Sequence, residues 1–353
     1  MNTVLYFYAF LLIFLLKVAI SVFIYFSGND FFGGGNDSTY YHAYAIGETD
    51  VITSAWPVFL RWLNELGVYS REFISFCLKL IGFIVIPLLV ARLAWVRKSL
   101  DRQRVYWAAI VVISAYPTLL YYTTDIYRDV IMVALWLLGV FIFRELSSEK
   151  RLFHKTYFFV FGLAVAYLLL EFRGYLGFSY FFALVLAPLY SFRRYPFIFS
   201  IFIFLAGLFG FYLFGLLEPV LAYRSIFSDY QTGGSNLGIS FSSVIQFFPD
   251  LLLSVVYQLF GVYFTGISSV AVFLTESLPF IFLITYVIRN RKYSTKFVDY
   301  LIVFFVTYSI IWLLGNDNLG TAVRLRMFSY ISILIAFFVI YQTKKIVLCC
   351  GKC

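Results

Sequence analysis

The chain has 353 residues, of which 62% are hydrophobic and 13% charged, with a mean hydropathy of +0.89, whereas a soluble globule keeps its apolar share nearer half. That balance excludes a water-soluble domain and describes an integral membrane protein. The net charge of +9 would suggest nucleic acid for a soluble protein, but in a membrane the sidedness of the charge matters more than its sum, and no nucleic-acid partner is expected.

The first apolar run, at about 4–27, is too long for a signal-peptide core and lacks a small-residue cleavage site, so it reads as a helix. A long polar and aromatic stretch over 28–70 follows; Gly33 to Gly35 free the backbone there, and Asp37 can cap a short helix starting near Ser38. Further runs able to cross roughly 30 Å of hydrocarbon fall at about 71–92, 105–123, 129–143, 156–170, 175–192, 196–217, 269–288, 297–314 and 326–343. The stretch 241–265 is apolar as well, but Pro249 beside Asp250 breaks it, as suits a re-entrant or interfacial segment.

Most Lys and Arg residues gather in four loops, around 92–104, 144–155, 193–194 and 289–296, and in the C-terminal tail. The positive-inside rule puts these together in the cytoplasm, which requires that 241–265 does not cross. The expectation is an all-α polytopic membrane protein of about ten transmembrane helices, with cytoplasmic N- and C-termini. It is one transmembrane domain over 1–353, whose outer loops at 28–70 and 218–245 contribute to a site. Within the runs, Lys17 and Lys79 stand out as charges. Cys77, Cys349, Cys350 and Cys353 lack the spacing of a tetrahedral zinc site, so neither metal nor cofactor is expected.

The arginines left on the outer side are Arg61, Arg71, Arg128, Arg173, Arg224, Arg324 and Arg326. Arg61 and Arg71 sit in ordinary amphipathic context. The others fall in polar clusters: YYTTDIYRD, EFRGY, EPVLAYRSIFSDYQTGGSN and NDNLGTAVRLR, with GGGNDSTYYHAYA as a fifth carrying Asp37 and His42. Guanidinium forks match phosphate oxygens, and at a membrane the phosphate belongs to a lipid, so Arg128, Arg173, Arg224, Arg324 and Arg326 are expected to hold a diphosphate in one outward-facing cavity. Cations there would offset charge growing on a diphosphate leaving group. Asp37, Asp129 or His42 would take the proton of an acceptor hydroxyl. Each has a structural alternative: capping for Asp37, the α-helix N-terminus for Asp129, an interfacial hydrogen bond for His42, mutual pairing for Glu171 and Arg173, and snorkelling for Arg324 and Arg326.

The series GGNDSTYYHAYA, YYTTDIYRDVIM, FRGYLGF, AYR with GGSN beyond it, and NLGTAVRLR resembles bacterial oligosaccharide repeat-unit polymerases, the O-antigen or capsular polysaccharide polymerases, which are distantly similar to GT-C glycosyltransferases. The resemblance runs along nearly the whole chain through short, degenerate motifs. It implies a multi-pass protein of the bacterial inner membrane that transfers a glycan from undecaprenyl diphosphate to another lipid-linked repeat unit in lipopolysaccharide biosynthesis. Its partners would be undecaprenyl-diphosphate-linked oligosaccharides, membrane lipid and a chain-length regulator protein. Arg128 and Asp129 fall at the helix-top Arg-Asp motif of such enzymes, Arg173 at their Phe-Arg motif, Arg224 in the second large outer loop, and Arg324 with Arg326 at the last helix. The chain departs from them in the short segment after Arg173 and the small middle arginine loop. Two alternatives stay open: a GT-C-type transferase that adds one sugar from a polyprenyl-phosphate donor, and a lipid-linked oligosaccharide flippase or transporter.

Overall fold

The computed structural model describes residues 3–27, 36–97, 99, 101–148, 151–195, 197–229, 236–241 and 243–350. The glycines at 33–35, the GGS of 233–235, the basic residues Lys98, Lys150 and Lys352, and Cys353 lie outside them. Every regular element among the described residues is a helix, and the chain divides into two compact units, Met1–Phe178 and Ser179–Cys353.

The first unit contains α1 (Thr3–Ser27), α2 (Asn36–Ala45), α3 (Ala55–Glu65), α4 (Arg71–Leu80), α5 (Ile86–Ala94), α6 (Arg102–Ser114), α7 (Pro117–Tyr122), α8 (Arg128–Ser148), α9 (Leu152–Phe172) and the start of α10 (Gly174–Leu186). Ser70 opens α4 by accepting from Phe73 N, which satisfies one of the orphan donors of a helix start. A π-helical turn, Ile81–Val85, joins α4 to α5. There Gly82 lets the turn approach residue 123, because a Cβ on it would lie 2.1 Å from Thr123 Cγ2. Helices α5, α6 and α1 pack together, as do α8 with α5 and α9. The expected single helix at 105–123 is two, since Pro117 holds Tyr116 extended (ψ 111°) and starts α7 afresh.

The second unit contains the rest of α10, α11 (Phe197–Leu213), α12 (Glu218–Asp229), α13 (Phe247–Ser254), α14 (Ile267–Val272), α15 (Leu278–Arg289), α16 (Lys296–Gly315) and α17 (Leu319–Cys350). Two more π-helical turns, Val255–Leu259 and Phe273–Ser277, follow α13 and join α14 to α15. Helix α17 packs on α15 and α16, and the Phe280 and Tyr330 rings stack at 4.0 Å between centroids.

Among the described residues seven helices are long and apolar enough to cross a membrane: Thr3–Ile24, Arg71–Ala94, Arg128–Ser148, Leu152–Phe172, Ile267–Arg289, Lys296–Gly315 and Leu319–Cys349. Helices α11 and α12 form a further apolar pair bent by 75°. The apolar segments Gly174–Leu186 and Phe247–Leu259 are shorter. Large side chains such as Phe26 and Ile198 stay about four-fifths exposed, as lipid-facing residues do when the solvent is hydrocarbon.

Candidate functional site

In the first unit the polar groups collect at the starts of α2, α4, α8 and α10 and at the end of α9. Arg71 joins them: its guanidinium donates to Asp125 Oδ1 at 3.1 Å and lies 3.5 Å from Ser38 Oγ. Burial alone would raise the Asp125 carboxyl, but hydrogen bonds from Arg71 and the Arg71 charge hold it below the usual carboxylate range. Trp56 Nε1 donates to Ile126 O at 2.8 Å, tying α3 to the same turn. His42 Nδ1 lies 2.9 Å from Tyr69 Oη. Burial pushes the Tyr69 phenol up to about 12, so it stays protonated and polar at neutral pH. Asp37 occupies the first turn of α2, one residue before Ser38.

Asp129 and Arg173, with Arg128 beside them, are the most deeply buried charges of this group. Arg128 NH1 donates to Phe172 O at 3.3 Å, which brings the N-terminus of α8 to the end of α9. Arg173 NH1 lies 4.0 Å from Asp129 Oδ1, and both side chains are buried. Glu171 bonds instead with Tyr167, so the pairing of Glu171 with Arg173 is replaced by that with Asp129. Because α10 begins at Gly174, directly after Arg173, the positive ends of α8 and α10 adjoin these two guanidiniums. Tyr175 lies under the Arg173 guanidinium at 5.5 Å, and Tyr121, Tyr122 and Tyr127 pack ring on ring beside Arg128 in the chain.

In the second unit Arg224 has a different task. Its NH1 donates to the carbonyls of Leu313 (2.9 Å) and Asn316 (2.6 Å), its Nε to Ile239 O, and its NH2 to Asp317. The Leu313 and Asn316 carbonyls are acceptors left over at the end of α16, so Arg224 caps that helix. Asp317 also accepts from Gly238 N (2.8 Å) and Ile239 N (3.2 Å), and Asn316 exchanges hydrogen bonds with Gln258 at 2.6 and 3.0 Å. Asn318 Oδ1 accepts from Thr321 N at 3.0 Å and so caps α17. Asn316, Asp317 and Asn318 thus form a joint between α16 and α17.

Further along α17, Arg326 is buried with its NH2 3.8 Å from Glu276 Oε2. Tyr330 Oη donates to Leu259 O at 2.6 Å and lies 3.0 Å from Ser277 Oγ, while Gly261 leaves space that Arg326 NH1 and Ser277 Oγ use. Both π-helical turns of this unit therefore feed one buried polar group, a placement often found at functional sites. Arg324, two residues before, is half-buried.

The eight sequence candidates divide between the units: Asp37, His42, Arg128, Asp129 and Arg173 in the first, Arg224, Arg324 and Arg326 in the second. Arg71, Asp125, Gln258 and Glu276 were not among them. Glu276 corrects the expectation that Lys17 and Lys79 are the charges within the apolar runs, since it lies inside the span Ile267–Arg289; an acid interrupting a run of spanning length is itself the sequence signal. Among the described residues no three His, Cys, Asp or Glu side chains gather as metal ligands would. Comparison with family models, curated proteins and solved structures returns no match for this chain.

Proposed function

We propose that this protein is a membrane glycosyltransferase that moves a glycan from undecaprenyl diphosphate to a sugar hydroxyl on a second lipid-linked repeat unit, at the outer face of a bacterial inner membrane. The observation that carries the reading is the meeting of two helix N-termini, those of α8 and α10, with Arg128 and Arg173. Helix N-termini and guanidiniums both favour a phosphate-bearing group. In the reaction the acceptor oxygen attacks the anomeric carbon, the bond from that carbon to the diphosphate oxygen breaks, and the electron pair leaves with undecaprenyl diphosphate. Arg128 and Arg173 offset the charge growing on the leaving group. Asp129, fully buried against Arg173, orients that guanidinium, and the acceptor proton goes to Asp37 or His42 on the partly exposed α2. The partly exposed Tyr121 and Tyr175 supply faces on which sugar rings stack. In this reading the chain crosses ten times, with α6–α7, α10 and α11–α12 added to the seven long helices and the basic loops in the cytoplasm.

The test is purified protein supplied with lipid-diphosphate repeat units, the products being separated by length. A ladder of products that Arg173→Ala abolishes supports polymerisation, and a single addition supports a one-sugar transferase. A ladder indifferent to both Arg128→Ala and Arg173→Ala removes the diphosphate assignment. Reporter fusions after Asp125 and after Arg193 should read opposite sides of the membrane.

One observation favours a second reading, transport of the lipid-linked oligosaccharide. The Glu276–Arg326 pair is buried about 10 Å or more inside α17 and the α14–α15 span, counting 1.5 Å per residue from each helix start, and charges at such depth mark transport pathways in membrane proteins. Movement of the lipid across sealed vesicles without new glycosidic bonds would establish that reading in place of transfer.

A further inference from the structure

A cavity of about 390 Å³ lies between the turn joining α10 to α11 and the start of α16, and its lining includes none of the arginine–carboxylate pairs described above. Two of its ionic residues are committed to holding the fold. Lys296 Nζ donates to Ala187 O (2.7 Å), Pro188 O (3.0 Å) and Tyr190 O (2.7 Å), closing the end of α10. Asp299 Oδ1 accepts from Phe192 N at 3.0 Å, and its Oδ2 lies 3.8 Å from Lys296 Nζ. The one carboxylate in the lining is thereby met by the one lysine.

Arg193 and Arg194 also line the cavity and are exposed, and among the described residues neither guanidinium has a side-chain or carbonyl partner. Two adjacent cations at a cavity mouth, with Asp299 already neutralised, leave a net positive site whose complement is an anion. The rim says which kind. Leu189 is 77% exposed and Tyr195 46%, and the first turn of α11 beyond them presents Ile198, so the opening is bordered by apolar surface that a free ion would not use. Basic pockets beside apolar helix surface suit the head group of an anionic lipid, with its phosphate on the arginines and its chains along the helices.

We propose that this cavity binds the phosphate head group of an anionic membrane lipid through Arg193 and Arg194, with Leu189 and Ile198 against its acyl chains. The experiment uses the full-length protein, delipidated in a neutral detergent, and measures binding of phosphatidylglycerol and of phosphatidylcholine by native mass spectrometry. Wild type should prefer phosphatidylglycerol by about tenfold or more, the scale of a lost charge-assisted phosphate contact, and Arg193→Gln/Arg194→Gln should erase the preference. Unfolding without added lipid is followed in parallel. If the double variant melts early, Arg194→Gln alone is measured, and an undiminished preference there overturns the proposal. It is equally overturned if the folded double variant keeps the preference, or if inorganic phosphate at millimolar concentration displaces the lipid completely, which would mark a free-anion site.

Discussion

Glu276 Oε2 and Arg326 NH2 stand 3.8 Å apart, with both side chains nearly withdrawn from solvent. An isolated charge at that depth would be strongly disfavoured, so each ion is tolerated because the other is there. The pair is made possible by backbone irregularity on the facing helices. The turn Phe273–Ser277 carries Glu276, and Gly261, just past the turn Val255–Leu259, gives the guanidinium its space.

Removing one member should therefore do more harm than removing both. Arg326→Met and Glu276→Gln are each expected to destabilise the protein by about 3–5 kcal/mol, and the double variant by less than either single one. Thermal unfolding of the four proteins in one detergent measures the coupling. Strict additivity would mean that the two side chains do not share an environment.

Gly261→Ala tests the same site from the other side. Gly261 has φ of +66°, and an added Cβ would fall 2.5 Å from Arg326 NH1 and 2.8 Å from Ser277 Oγ. Left-handed backbone strain of about 1–2 kcal/mol should add to the displacement of the guanidinium. Gly261→Ala is expected to lower the unfolding midpoint and to reduce the further effect of Glu276→Gln, because the pair is already disturbed.

Much of this could be read from the residues in advance, and the part that could not has a physical reason. The long helices announced themselves through apolar runs, whereas the caps Ser70 and Thr295 that open α4 and α16 emerge only from the structure. Arg128, Asp129 and Arg173 were visible as polar residues at helix ends, but their mutual distance depends on how α8 and α9 pack, which no local pattern encodes. Arg224 looked like its neighbours in type and flank. Its task as a cap on α16 follows from carbonyls about 90 residues away in the chain, and a long-range contact of that kind leaves no periodic trace. Glu276 was the reverse case, since its signal was local and was masked by the hydrophobicity around it.

Arg224→Lys should separate structure from chemistry. A lysine keeps the charge but cannot reach Ile239 O, the α16 carbonyls and Asp317 together. Loss of about 2 kcal/mol or more is expected, of the order of several hydrogen bonds broken at a buried cation. Protein that remains folded should keep its KM for the lipid-linked substrate. A raised KM with an unchanged midpoint would instead return Arg224 to the diphosphate site.

The Arg71–Asp125 pair makes stability depend on pH. Asp125 is held below the ordinary carboxylate value in the folded protein, so the folded state binds its proton less readily than the unfolded chain does. Its contribution is complete above the unfolded value near pH 4 and is lost as pH falls through the lower, folded value. Asp125→Asn should melt earlier than wild type at pH 7, and the gap between the two should close as the pH is taken below about 4. A gap that persists at low pH would mean that the turn depends on the shape of Asp125 and not on its charge.

Asp129→Asn and Arg173→Lys distinguish an orienting carboxylate from a catalytic base. If Asp129 acts only by holding Arg173, whose NH1 it approaches at 4.0 Å, an asparagine of the same shape keeps part of that hold. Turnover should then drop by about tenfold with its pH profile unmoved. Arg173→Lys removes the fork that matches a diphosphate and should lower kcat/KM by about a hundredfold, the scale of losing a donor aimed at developing charge. Should Asp129→Asn instead abolish the acidic limb of the pH profile while Arg173→Lys leaves kcat/KM intact, Asp129 is the base, and the route by which an acceptor hydroxyl reaches so buried a carboxylate becomes an opening of α8 against α9. That opening would be visible as faster amide exchange at the start of α8 when substrate is bound.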